Sequence, residues 1–338
     1  MKKNSFFLVA CLIMMPVFIG GCSGPQSKAV STTSKYPEKP ITLIVPFSVG
    51  GGQDLLARVM EKQTQKYLGQ PLVIVNKPGS AGALGWNELT GASPDGYTIG
   101  TTATEVLVLP LYGMAKYDYS TAMLPLAQIA TASWAIAVKA EQPWQNIDDL
   151  VAYAKQHPGQ LKFSHAGVGS LPHIIGETIG REAAVKLSQV PFRSAGEAAA
   201  ALLGGHVQIA IVTPSVIKEH VKNGTVKVLA VSGDKRSSDP DFASVPTLKE
   251  QGFNIAYENW YGLAAPKDMQ PEVTARLAEG LKAMTEDKEF KQTVENMGLQ
   301  VEYLGPQETA NKWIKEKEKI SKIIAETGIL DLIKNQKK

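Results

Sequence analysis

The chain has 338 residues, of which 44% are hydrophobic, 20% charged and 7% aromatic. That length allows two domains of ordinary size around large buried cores. The formal charge of +3 lacks the strongly basic stripe that nucleic-acid binding usually requires, so no nucleic-acid partner is expected.

Lys2 and Lys3 precede an apolar run from Phe6 to Ile19, and Gly20-Gly21-Cys22 follow. A charged start, a short apolar core and small residues before a cut describe an export signal rather than a membrane-spanning helix. The cysteine directly after Gly-Gly resembles a bacterial lipoprotein signal. That resemblance implies a leader over 1–21 and Cys22 as the lipid-bearing first mature residue. The lipid would hold the protein at the extracytoplasmic face of a membrane, in a periplasm or on a cell surface. Without Lys2 and Lys3 the balance falls to 33 basic against 32 acidic residues. Cys11 lies in the leader, so Cys22 is the only mature cysteine. This leaves no disulfide, thiol nucleophile or cysteine metal site. Residues 22–35, small and polar, read as a flexible tether. No other long apolar run follows, so the lipid is the expected membrane attachment.

The folded part begins at Tyr36. The apolar run Ile41 to Val45 reads as a buried strand that Pro46 stops. Ser48, Gly50, Gly51 and Gly52 then precede a helix over 53–67. Such a turn puts unpaired N–H groups at the positive end of a helix dipole, where an anion is favoured. A plain βα turn, whose glycines only relieve crowding, explains the same residues. Asp54 suits the first helical turn but would repel an anion, so it reads as a cap that holds the loop's shape. A strand at Leu72 to Val75 leads into a second glycine-rich loop, Asn76 to Gly85, and a helix over 83–92. Tyr97 to Thr101 is the third strand. Alternating strands and helices predict a mostly parallel sheet, with ligands at the carboxyl ends of its strands.

Thr102 to Pro125 is weakly patterned, and Leu126 to Val138 is an apolar extended run. A helix spans Ile147 to Gln156. The strand–loop–helix form then repeats: strand Leu161 to Phe163, a loop from Ser164 to Ser170 and a helix over 171–183. Strand Lys186 to Pro191, helix 196–203, strand Ile209 to Val212, helix 215–222 and strand Val226 to Val231 follow. Two such runs predict two α/β domains facing each other across a cleft. The tail returns through a crossing strand, Ala256 to Ala265, helices at 271–285 and 287–297, and a strand at 300–304. A last helix at 307–326 buries Trp313, Ile320, Ile323 and Ile324. Its KEKEK face reads as solvated, with i,i+4 pairs. Phe47 and Trp260 could wall a cleft, and core packing explains Trp260 equally well.

The five histidines (His157, His165, His173, His206 and His220) show no HExxH or paired metal-ligand spacing. No GxSxG elbow supports Ser164, Ser170 or Ser194 as a nucleophile. The glycines of GSAGALG are spaced GxxGxxG, and no P-loop is present. Neither an enzyme, a cofactor nor a metal is expected. Both halves instead offer Gly/Ser/Thr loops ahead of helices, a neutral cradle for a small carboxylate.

YPEKPITLIVPFSVGGGQDLLAR (36–58), LGQPLVIVNKPGSAGALG (68–85), SPDGYTI (93–99), ALLGGHVQIA (201–210), LAVSGDKR (229–236), VPTLKEQGF (245–253) and WYGLAAP (260–266) resemble the Bug family. These are the solute-binding proteins of tripartite tricarboxylate transporters. The resemblance implies a type II periplasmic-binding-protein fold, two α/β lobes joined by a crossing hinge with the ligand in the cleft. Residues 36–131 and 256–338 would form one lobe and 132–255 the other. It implies a monomer that captures a di- or tricarboxylate or related organic acid for a two-subunit membrane permease, or a sensor that signals to a membrane partner. Phe47, Ser48, Gly51, Gly52, Gly79, Ser80, Ala81 and Gly82 would form a pincer on a carboxylate. Ser164, Gly169, Ser170, His173, Arg193, Ser194 and Thr213 would close from the other lobe. Gln208 stands where the family often has Asp, and Phe192-Arg193-Ser194 where it often has Tyr-Lys-Gly. Arg193 could pair with a distal carboxylate or form a surface or hinge salt bridge.

Overall fold

The computed structural model describes residues 36–327 and 330–331. The leader, Cys22, the tether and the side chain of Ile323 lie outside the described residues. The run Ile41–Val45, β-branched at every position but Leu43, forms β1, and α1 follows at Gly52–Leu68. Then come β2 (Leu72–Asn76), α2 (Ala83–Thr90), β3 (Thr98–Thr102), α3 (Glu105–Leu111), α4 (Tyr119–Ala122) and β4 (Met123–Ser133). The second run holds β5 (Ala135–Lys139), α5 (Ile147–Gln156), β6 (Lys162–His165), α6 (Leu171–Glu182), β7 (Ser188–Pro191), α7 (Ala195–Leu203), β8 (Ile209–Val212), α8 (Lys218–Lys222) and β9 (Val226–Val231). The chain ends with β10 (Glu258–Pro266), α9 (Pro271–Glu286), α10 (Lys288–Asn296), β11 (Gln300–Leu304) and α11 (Pro306–Thr327).

Two sheets result, each the centre of a lobe. The first has the order β11-β4-β10-β3-β1-β2 and the second β7-β6-β8-β5-β9. β1 lies between β2 and β3, parallel to both, with Thr42 opposite Val73 and Thr98. β6 is likewise parallel to β7 and β8. The remaining pairs are antiparallel: β10 with β3 and β4, β11 with β4, and β5 with β8 and β9. A mostly parallel sheet is therefore not what forms. β4 carries the chain out of the first sheet and β10 carries it back, so these neighbours run in opposite directions.

Only Trp134 separates β4 from β5. Ser232 ties this crossing to the return: its N–H donates to Trp134 O at 2.9 Å and its Oγ accepts from Trp134 N at 2.9 Å. Tyr257 N–H donates to Ser232 O at 2.7 Å. The two connections between the lobes are thus bonded to each other.

The weakly patterned stretch holds α3 and α4. Val106, Leu107, Val108 and Leu109 are all fully buried. A helix buried on every side has no amphipathic period to detect. The helix expected over 215–222 is a 3-10 turn at Pro214–Val216 followed by α8. The charged face of α11 is not simply solvated. Glu316 accepts from Trp260 Nε1 at 2.6 Å, Lys312 donates to Gln128 Oε1 at 2.7 Å, and Lys317 reaches Asp118. Lys312 also forms the i,i+4 contact with Glu316, at 3.8 Å. Trp260 does not line the cleft's inner cavity: it is buried and stacks on Trp313, with ring centroids 5.8 Å apart. Among the described residues no helix is long and apolar enough to cross a membrane.

The Trp260–Trp313 stack anchors α11 to the first sheet. Trp313→Ala is expected to lower stability by about 3–5 kcal/mol, the usual range for emptying a buried aromatic site. Urea unfolding of the two proteins checks it.

Candidate functional site

The loops after β1 and β2 meet the loops of the second lobe. Glycine allows this approach at Gly52, where a Cβ would lie 2.8 Å from both Thr213 Oγ1 and Tyr261 OH. A Cβ on Gly196 would lie 2.5 Å from Gly50 O. Between the lobes lies an inner cavity of about 30 Å³, lined by Phe47, Gly51, Gly52, Gln53, Ala103, Glu105, Trp134, Ala166, Ala195, Thr213, Asn259 and Tyr261. A second hollow of about 260 Å³ shares Ala166 with it and is bounded by Gly79, Ser80, Ala81, Met114, Gly167, Val168, Phe192 and Arg193.

The structure therefore brings Phe47, Gly51, Gly52 and Thr213 to the inner cavity, and Gly79, Ser80, Ala81 and Arg193 to the outer hollow. Ser48, Gly82, Ser164, Gly169, Ser170, His173 and Ser194 line neither. Several of these support the loops from beneath. Ser164 Oγ donates to Ala198 O at 2.9 Å, Ser194 Oγ accepts from Glu197 N at 3.3 Å, and His173 Nδ1 accepts from Gly169 N at 3.1 Å. Arg193 is 71% exposed and pairs with Glu197 at 2.9 Å.

No side chain caps α1, and the first N–H groups of a helix have no acceptor within it. Gly52 and Gln53 thus present backbone donors at the cavity wall. Asp54 does not line the cavity. Its Oδ2 accepts from Gly50 N at 2.9 Å and pairs with Arg58 Nε at 3.0 Å, and its Oδ1 accepts from Asn76 Nδ2 at 3.0 Å. Burial acts to raise the Asp54 pKa, but these bonds outweigh it and hold the carboxyl below its ordinary value. In the second loop Ser80 and Ala81 have φ of 50° and 53°. This left-handed conformation costs non-glycine residues about 1–2 kcal/mol each.

Several lining residues could not be found from loop motifs. Trp134 is 5% exposed and its Nε1 has no partner, and Asn259 Oδ1, on a residue 3% exposed, also has none. Burial pushes the Tyr261 pKa up to about 12, so its hydroxyl stays protonated. These three lie on or beside the crossing strands, which carry no glycine signature. Glu105 was hidden in the unread stretch after β3. Its one available signal was a lone acid heading an apolar run, EVLVL, at the carboxyl end of a strand.

His165 lies under the second lobe's first loop. Its Nδ1 is 2.9 Å from Gly167 O and its Nε2 is 2.7 Å from Gln189 Oε1. A carbonyl cannot donate, so Nδ1 carries the proton and the Gln189 amide turns its nitrogen toward Nε2. Burial, then the stacked His173 ring, pushes the His165 pKa down to about 3. An unfolded histidine titrates near about 6.5. The stabilisation is therefore complete above that value and is lost as pH falls from there toward the folded pKa. Urea unfolding across this range should show a steeper loss for the wild-type protein than for His165→Asn.

The model of the "Tripartite tricarboxylate transporter family receptor" matches residues 56–329. A Cupriavidus necator protein named "UPF0065 protein in gbd 5'region" is 30% identical over 329 residues, spanning 97% of this chain and 99% of its own length. The periplasmic binding protein BugD superposes with a TM-score of 0.82 at 27% identity, over 87% of this chain and 99% of its own. The R. palustris protein Rpa4515, solved with adipate, gives a TM-score of 0.81 at 25% identity, over 87% of this chain and 98% of its own. The two-lobed fold is that of periplasmic binding proteins, which carry solutes rather than transform them. This chain belongs to the tripartite tricarboxylate transporter receptor family.

Proposed function

We propose that the protein is an extracytoplasmic solute-binding protein, lipid-anchored through Cys22, that captures a small organic carboxylate and delivers it to a tripartite tricarboxylate transporter permease. The observation that carries this reading is the uncapped α1 N-terminus, which opens on a cavity that also holds the unpartnered Trp134 N–H. Backbone and indole donors attract an anion without a fixed cation, which suits capture followed by release.

In this conformation the inner cavity has room for about one or two waters. A solute enters only when the lobes part, and the crossings at Trp134 and Ser232 are where they turn. Ligand then holds the lobes at one separation, and the permease reads that form.

Calorimetry and thermal shift against a panel of organic acids test the reading. A bound acid at a hundredfold excess over its Kd should stabilise the fold by about 2.7 kcal/mol. A panel in which a sugar binds and every carboxylate fails overturns it. Gly52→Ala should weaken the bound acid at least about tenfold, or ~1.4 kcal/mol. The added methyl group meets Thr213 and Tyr261 while alanine suits the helix itself. Titration calorimetry beside an unfolding curve separates the two effects.

A further inference from the structure

Among the described residues Glu105 is the one acid on the inner cavity, and no lysine, arginine or histidine lines it. The residue is 2% exposed. It begins α3 in the first lobe, and its Oε1 accepts the Leu171 N–H, at 3.1 Å, from the first turn of α6 in the second lobe. The place where α6 would greet an anion is thus already served by the protein's own carboxyl group. On the wall of the same cavity, Gly52 and Gln53 present backbone donors.

The cavity is therefore lined both by donors at the start of α1 and by an acceptor at the start of α3. We propose that Glu105 is a specificity-determining residue that selects a monocarboxylate bearing a distal hydrogen-bond donor, an amino or hydroxyl group, over a solute bearing a second carboxylate there. This rests on the carboxylate-binding reading above and names the far end of that ligand. A second carboxylate would find no cation, would face Glu105 and would compete for the Leu171 N–H. A donor would instead complete the acceptor capacity of Glu105. Burial pushes the Glu105 pKa up, with the Leu171 N–H opposing. A carboxyl group so placed gains most from a donor set against it.

The test is a four-carbon series that differs only at the far end: butanoate, 4-hydroxybutanoate, 4-aminobutanoate and succinate. Calorimetry at neutral pH is run on the wild-type protein and on Glu105→Gln. The amide keeps a carbonyl acceptor for Leu171 N–H, so the fold has its bond, and circular dichroism checks it.

For the wild-type protein a donor-bearing acid should bind at least about tenfold tighter than both butanoate and succinate. The series separates amino from hydroxyl as the preferred donor. In Glu105→Gln the preference over succinate should shrink at least about tenfold. If succinate binds the wild-type protein tightest, or if Glu105→Gln leaves the ratio unchanged, the proposal is overturned while carboxylate capture stands. If no acid of the series or of the wider panel binds but a non-acid does, the carboxylate reading itself fails. Should Glu105→Gln not fold, the wild-type ranking alone decides between the donor and the second carboxylate.

Discussion

The buried carboxylate of Asp54 fixes the turn on which the cleft is built. One oxygen takes the Gly50 N–H and Arg58, and the other takes the Asn76 amide. Asn76 also donates to Phe47 O at 3.0 Å. The ends of β1 and β2 are therefore joined by side chains as well as by the sheet. Because the charge of Asp54 is satisfied from the loop side, it is not directed into the cavity. The glycine turn then holds its shape without a capping side chain on α1, and the helix keeps free N–H groups at the cleft.

That arrangement separates shape from recognition. In the second lobe Ser164, Ser194 and His173 bond to nearby backbone beneath the loops. Buried polar groups need such partners, since an unmet one costs about 1–3 kcal/mol. At the cavity, Trp134 Nε1, Asn259 Oδ1 and the Tyr261 hydroxyl are left without hydrogen-bond partners. All three come from the segments that cross between lobes. The unpartnered groups and the crossings between the lobes are thus adjacent, so a ligand that touched Trp134 would touch the point where the chain passes from one lobe to the other.

Most strands and helices were legible in the sequence because they follow period two or 3.6 between clear glycine and proline stops. Ile147–Gln156 and Val226–Val231 fall where the pattern put them. The two-lobed α/β fold followed from the repeated strand–loop–helix runs and from the Bug resemblance. Strand direction was less legible, since it depends on which strands become neighbours, and β10 returns between β3 and β4 from far along the chain. α3 was hidden because its apolar residues cover every face. The KEKEK segment is solvated only in part, because a long charged side chain can reach inward: Lys315, Glu318 and Lys319 are exposed, whereas Glu316 meets Trp260 and Lys317 meets Asp118. At the site, glycine loops announced the backbone donors. Trp134, Asn259, Tyr261 and Glu105 carry no such local mark, because their roles arise from where distant segments meet.

The bond from Glu105 to Leu171 gives this arrangement of the lobes an interaction of its own, independent of any solute. A ligand shifts the lobes only by the difference between what it gains in one arrangement and in another. At the α1 end that difference comes from donors on the first lobe meeting Thr213 and Ala195 of the second. At the α3 end it depends on whether the solute adds to the Glu105–Leu171 bond or competes with it. A donor leaves the bond intact and adds a partner to the carboxyl group. An acceptor displaces one oxygen with another, so the exchange gains little and leaves a buried carboxyl unmet. If Glu105 selects the solute as proposed, the contact between the lobes and chemical selectivity converge on the same carboxyl group.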